Sequence, residues 1–307
     1  MNGYVMETRQ VTKTYGSFLA LDHVNIHVRK GCIYGLVGDN GAGKSTLLKL
    51  LAGQSFPTKG EIEILGKHGL KDLENVRKQM GCMIEQPGFF PNMTVEQTLK
   101  YYCIQKGIPD TGRIVEMMKM TGIYEKRKSK CGTLSLGQKQ RLGLGIAMLG
   151  EPQILILDEP INGLDPIGIA EVRDFIRALC EERGKTILIS SHILSEIALL
   201  ADDIGIIDHG VLLEEESLAE LEQKNGKVLR FTVSNAPVAA QLLQQEMGVR
   251  DVAVENEQDL TVRDLRLDTG AAVRRFVEAG LVVSDAHLYE DTLEDYFKRI
   301  TGGEGIA

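Results

Sequence analysis

The chain has 307 residues, of which 43% are apolar and 25% charged, and it carries a formal net charge of −8. This composition describes a globular protein with one large core or two smaller ones. The acidic balance speaks against nucleic acid as a general partner, because a phosphate backbone requires a basic face. No window offers the roughly 18–20 uncharged apolar residues of a membrane-spanning helix. The first seven residues have neither a basic start nor an apolar core, so no signal peptide is expected and the cytosol is the predicted compartment. Cys32, Cys82, Cys103, Cys131 and Cys180 are odd in number, widely spaced and without a C-x-x-C pair. That pattern predicts reduced, mostly buried thiols.

In chain order, residues 5–11 alternate loosely and residues 24–28 alternate strictly, as a half-exposed antiparallel strand should. Residues 33–37 are short and continuously apolar, the signature of a fully buried parallel strand. A glycine-rich turn at 38–43 precedes a helix from Lys44 to about Gly53. Residues 61–65 alternate again and stop at Gly66. From about Thr94 to Leu149 the pattern is helical: Thr94 caps a segment with Glu96 and Gln97 in its first turn, residues 107–110 break it, and Ile114, Met117, Met118 and Ile123 recur at helical spacing. Such a Met stripe reads as core.

Three buried-type strands follow, at 154–157, 186–189 and 204–207, with a helix over 167–182 between the first two. Strand, helix, strand with apolar strands predicts an α/β fold: a parallel sheet with helices on its faces. Glu214, Glu215 and Glu216 open a charged, helical connector that runs to Asn225-Gly226. Beyond it, strand 229–233, helix 238–247, strands 252–254 and 260–262, helix 271–279 and strand 281–283 spell a small split βαβ unit.

Two motifs carry chemistry. Gly38, Asp39, Asn40, Gly41, Ala42, Gly43, Lys44, Ser45 and Thr46 read GDNGAGKST and fit G-x-x-x-x-G-K-[ST]. Glycines let backbone N–H groups converge on phosphate oxygens, and the following helix adds its positive end. Lys44 suits the terminal phosphates and the Ser45 hydroxyl suits Mg²⁺. The strand at 154–157 then ends in Asp158 and Glu159. A buried strand tipped by two carboxylates is costly unless a cation or hydrogen bonds receive them. Asp158 is the candidate Mg²⁺ ligand, and Glu159 the group that orients or deprotonates an attacking water.

Between these motifs lie Leu134, Ser135, Leu136, Gly137 and Gln138, followed by Lys139, Gln140 and Arg141. This stretch resembles the LSGGQ signature of ATP-binding cassette (ABC) ATPases, with Leu136 where the commonest form has glycine. The other marks of that family come in order. Tyr15 matches the aromatic residue that stacks on adenine, Gln86 the Q-loop glutamine that contacts Mg²⁺ and water, Asp165 the D-loop aspartate and His192 the switch histidine. Taken singly each has a plainer reading: surface packing for Tyr15, a turn for Gln86, helix N-caps for Ser135 and Asp165, a satisfied core histidine for His192.

The resemblance covers residues from about 3 to 220. It implies a P-loop NTPase with an ABC-type RecA-like core, an antiparallel β subdomain and a helical subdomain. The expected domains are an ABC ATPase at 1–222, its helical subdomain at about 92–147, and a small C-terminal α+β domain at 223–307. The ending from Leu288 to Gly303 and the LSLGQ form are similar to ATPases of bacitracin- and lantibiotic-type efflux or immunity transporters. The family places the signature far from its own phosphate loop, so two subunits pair head to tail. The implied cofactors are ATP and Mg²⁺. The implied partners are a second ATPase subunit, identical or a close paralogue, and a separate transmembrane permease docked near Gln86 and residues 94–145. The implied location is the inner face of the cell membrane. Two rivals are a soluble ABC ATPase acting in translation or DNA repair, and a small-molecule P-loop kinase. The kinase reading leaves Ser135–Gln138 and His192 unexplained.

Overall fold

The computed structural model describes residues 3–85, 88–109, 112–224, 227–290 and 293–301. The chain divides into two compact units, residues 1–218 and 219–303. The first begins with β1 (Tyr4–Tyr15), β2 (Phe18–Val24) and β3 (His27–Arg29) and continues through β4 (Ile33–Val37) into α1 (Lys44–Ala52). Next come β5 (Lys59–Ile64), β6 (Lys67–His68), α2 (Leu70–Arg77) and β7 (Met80–Met83). A helical stretch holds α3 (Val95–Lys106), α4 (Arg113–Met120) and α5 (Leu136–Met148). The unit closes with β8 (Ile154–Asp158), α6 (Pro166–Glu181), β9 (Thr186–Ser191), α7 (Leu194–Ala198), β10 (Asp203–Asp208) and β11 (Val211–Ser217).

Two sheets organise it. The antiparallel one runs β2-β1-β5-β6, with β3 also on β1, and the other runs β11-β10-β4-β9-β8-β7. In the second sheet β10, β4, β9, β8 and β7 are parallel and only β11 is antiparallel. Every residue of β4, β8 and β9 is buried, which is why these strands read as continuous apolar runs. Leu47, Leu48, Leu50 and Leu51 of α1 are fully buried in the core that joins the two sheets. Each such leucine stabilises the fold by about 1.5–3 kcal/mol.

The expected strand over 24–28 is split. Its alternation of burial holds, but the Thr8 hydroxyl donates to the Val24 carbonyl at 3.0 Å and accepts from the Ile26 N–H at 2.9 Å. A side chain thereby replaces ladder bonds that a continuous strand would make. The three glutamates at 214–216 do not begin a helix. They lie in β11, paired with residues 204–206 of β10. Glu215 there accepts from the Tyr34 hydroxyl at 2.8 Å and from the His27 N–H at 2.6 Å. These specific acceptor roles outweigh the helix propensity of a glutamate run.

The second unit contains α8 (Leu218–Lys224), which starts at its border, then β12 (Lys227–Val233), α9 (Ala236–Glu246), β13 (Val252–Val254), β14 (Asp259–Val262), α10 (Thr269–Glu278), β15 (Val283–Glu290) and α11 (Leu293–Ile300). Its antiparallel sheet runs β13-β14-β12-β15. The buried Phe231 and Phe276 rings meet edge to face at 5.4 Å in its core. The last strand begins at Val283 rather than Leu281 and runs through polar residues to Glu290. Apolar patterning marks only its first residue, because Ser284, Asp285 and His287 interrupt the apolar run.

The cysteines are free, with Cys32, Cys103, Cys131 and Cys180 buried and Cys82 half-buried. Burial pushes the thiol of Cys32 up to about 12 and that of Cys82 up to about 11. Both thiols therefore remain protonated near neutral pH, and thiolate is the reactive form. Iodoacetamide at pH 8 is expected to leave Cys32 and Cys82 unmodified in the folded protein and to label both in urea, as read by peptide mass spectrometry.

Candidate nucleotide site

The register of three parallel strands assembles the site. Val37 at the end of β4 pairs with Ser191 of β9, and Ser190 pairs with Asp158 of β8. The turn after β4, the two carboxylates after β8 and the histidine after β9 therefore leave the sheet side by side at its carboxyl edge, where ligands bind in α/β sheets. The Gly38 N–H donates to the Ser191 carbonyl at 3.4 Å, and the Glu159 N–H donates to the Ser190 carbonyl at 3.2 Å.

The glycine-rich loop wraps around its own lysine. Lys44 Nζ donates to the carbonyls of Gly38 at 2.6 Å and Asp39 at 3.1 Å, and lies 3.4 Å from Glu159 Oε1. Gly43 caps α1 with a φ of 108°, a left-handed conformation that favours glycine. A Cβ there would meet the Ala20 carbonyl at 2.9 Å and the Leu21 side chain at 2.8 Å, so β2 runs directly against the loop. Asn40, Gly41, Ala42 and Thr46 complete the turn and the first helical residues. The Ala42 carbonyl accepts from the Gly210 N–H at 2.9 Å.

Glu159 Oε2 and His192 Nδ1 are 2.7 Å apart. A carboxylate only accepts, so Nδ1 carries the proton. Lys44, Glu159 and His192 thus form one line of charge and hydrogen bonds. The buried Asp158 accepts from the Ser190 hydroxyl at 2.6 Å, and that hydroxyl also accepts from the Glu159 N–H at 3.0 Å. Ser190 was not among the residues singled out from the sequence. Its only signal was a pair of serines closing a buried apolar strand, where polar groups need partners.

The remaining candidates stand apart from this cluster or partly so. Tyr15 ends β1 and is 47% exposed, with Lys13 Nζ 4.8 Å from its ring centroid. Gln86 lies outside the described residues. Its neighbour Glu85 forms an ion pair with Lys49 of α1, which raises the Lys49 ammonium above its ordinary range. Ser135 caps α5: its hydroxyl accepts from the Gln138 N–H at 3.3 Å, while its own N–H donates to Gln138 Oε1 at 3.2 Å. Leu134 is buried, Leu136 is 42% exposed, and Gly137 follows in the first turn. Asp165 caps α6 by accepting from the Gly168 N–H at 3.1 Å.

The Ser45 hydroxyl and the Asp158 carboxylate are hard oxygen donors, the type that Mg²⁺ takes. Among the described residues no cluster of three or more His, Cys, Asp or Glu forms a dedicated metal cage.

The profile described as "ABC transporter" matches residues 21–162. The bacitracin transport ATP-binding protein BcrA of Enterococcus faecalis is 40% identical over 306 residues, 99% of this chain and 98% of that protein. Its counterpart in Bacillus licheniformis is 42% identical over 303 residues, 99% of each chain. The lantibiotic transport ATP-binding protein SrtF of Streptococcus pyogenes is 40% identical over 214 residues, covering 69% of this chain and 91% of that one. Among solved structures, the dimeric ATP-binding cassette MJ0796 in a post-hydrolysis state with ADP and Pi is 27% identical, with a TM-score of 0.64 over 69% of this chain and 98% of that one. The chain belongs to the ABC transporter family: it is an ATP-binding subunit with the P-loop NTPase fold and an ATP hydrolase. No helix among the described residues is long and apolar enough to cross a membrane.

Ser190 supplies a direct test of the site. Ser190→Ala removes the donor to Asp158 and one of two acceptors of the Glu159 N–H, the Ser190 carbonyl remaining, and leaves a buried carboxylate short of a partner. The expected cost is about 1–3 kcal/mol of stability by denaturant titration, with reduced ATPase turnover at saturating Mg²⁺.

Proposed function

We propose that this subunit hydrolyses ATP as half of a head-to-tail dimer that drives a separate membrane permease. The observation that carries the reading is the line of Lys44, Glu159 and His192, joined at 3.4 Å and 2.7 Å at the carboxyl edge of the sheet. Glu159 orients and polarises the attacking water, and His192 holds that water and the γ-phosphate in line. Lys44 and the loop N–H groups of residues 38–46 meet the charge that develops on the phosphates. Ser45, Asp158 and Gln86 would hold Mg²⁺, which would neutralise charge on the phosphate oxygens. Tyr15 stacks on adenine. Ser135 and Gly137 open α5 toward the partner's phosphates, and Asp165 lies at the dimer contact. The dimeric state described for the MJ0796 cassette supports the pairing.

The permease side of the reading is supported by an apolar surface on the helical stretch. Phe90, Tyr101 and Ile104 are exposed, and the Phe90 and Tyr101 rings meet edge to face at 5.6 Å. Exposed aromatic clusters of this kind mark interaction surfaces. With such a partner the subunit sits on the inner face of the membrane. The two bacitracin transport relatives match nearly the full chain, including its C-terminal unit. This supports export of a peptide antibiotic or similar amphiphile as the work done.

Glu159→Gln keeps the shape but removes the charge. Turnover is expected to fall by about 10²–10⁴-fold, while light scattering shows an ATP-dependent dimer. Hydrolysis at the parent rate overturns the catalytic assignment. Inorganic phosphate is the expected product, with no phosphorylated small molecule. Co-expression with the cognate permease is expected to raise the bacitracin tolerance of a sensitive host, and Lys44→Ala to abolish that gain.

A further inference from the structure

The leucine that departs from the usual signature has a specific counterpart in the same chain. Leu136 Cδ2 lies 2.7 Å from where a Cβ on Gly163 would sit, and Leu164 Cδ2 lies 3.5 Å from where a Cβ on Gly137 would sit. Each segment thus lays a leucine over the glycine of the other. Gly163 has a φ of +71°, so a side chain there is disfavoured by its backbone as well as by Leu136. With glycine at position 136 this interlock would have no side chain on the signature side.

The segment that Leu136 touches leads straight back to Glu159. The Leu164 N–H donates to the Ile161 carbonyl at 3.3 Å, and the Asn162 N–H donates to the Glu159 carbonyl at 3.2 Å. Ile161 is buried, and Glu159 itself holds a left-handed φ of 49°. Two hydrogen-bonded turns therefore separate the glutamate from the glycine beneath Leu136, with little slack between them. Further along, Arg141 of α5 pairs with Glu171 of α6, so the two helices are tied beyond the leucine contact.

We propose that Leu136 is a positioning residue that couples the signature segment to the Glu159 segment of the same subunit. This rests on the reading that Ser135 engages the partner's ATP. A shift of the α5 N-terminus onto phosphate in the partner's pocket then moves Gly163 and resets the Glu159 carboxylate in its own pocket. Occupancy of one site is thereby reported to the chemistry of the other.

The test is a mutant cycle on the full chain, with initial-rate ATPase kinetics. Leu136→Ala is expected to lower kcat by about 5–20-fold with KM within about twofold, and to bring the Hill coefficient for ATP from near 2 toward about 1. Leu136→Met refills the contact and is expected to restore both. Gly163→Ala is expected to lower kcat, and the double variant Leu136→Ala/Gly163→Ala to do no worse than Gly163→Ala alone, because trimming the leucine makes room for the new methyl. Additive losses, or a Leu136→Ala variant with unchanged kcat and Hill coefficient, overturn the coupling. Light scattering of Glu159→Gln with ATP separates the two levels. Absence of a dimer there removes the pairing and the coupling together. A dimer accompanied by additive kinetics removes the coupling alone.

Discussion

The site depends on the neutralisation of one lysine. Lys44 is nearly inaccessible to water, and a buried ammonium is tolerated only with its charge and protons met by partners. Two loop carbonyls and Glu159 supply them. To do so the loop must fold back on itself, and the strand bearing Glu159 must end beside it. The parallel register of β4, β9 and β8 makes that geometry possible. Glu159 is shared between Lys44 and His192, so one carboxylate ties the lysine of the loop to the histidine after β9.

Much of this was legible in the primary structure, for identifiable reasons. Buried parallel strands carry a near-continuous apolar run, so β4, β8, β9 and β10 announce themselves. Phosphate loops require glycine and lysine at fixed spacing, so residues 38–46 do too. What resisted reading was local hydrogen bonding that overrides pattern. Thr8 breaks an alternating strand with its hydroxyl, and Glu215 draws a glutamate run into a ladder. The edge strand β7, with sequence MGCM, has no β-branched residue to mark it. Ser190 escaped notice because a serine in a strand is uninformative until the neighbouring strand is known.

Family resemblance and residue chemistry contribute differently. The relatives account for the class of protein and its use of ATP. They do not by themselves explain why this chain has leucine at 136 or what it touches. The answer is local and steric: a bulky signature residue opposite a glycine in the turn after β8.

The three-way bonding of Glu215 has a mechanical corollary. The carboxylate is held by the hydroxyl of Tyr34, in the middle of the core sheet, and by the backbone and ring of His27. Three residues later the chain leaves the first unit. Up to that border β11 stays paired with β10, from Val211 opposite Asp208 to Ser217 opposite Asp203. The turn between β10 and β11 is itself bonded to the glycine-rich loop, the Gly210 N–H donating to the Ala42 carbonyl, so the ladder that Glu215 anchors also steadies the turn that grips phosphate.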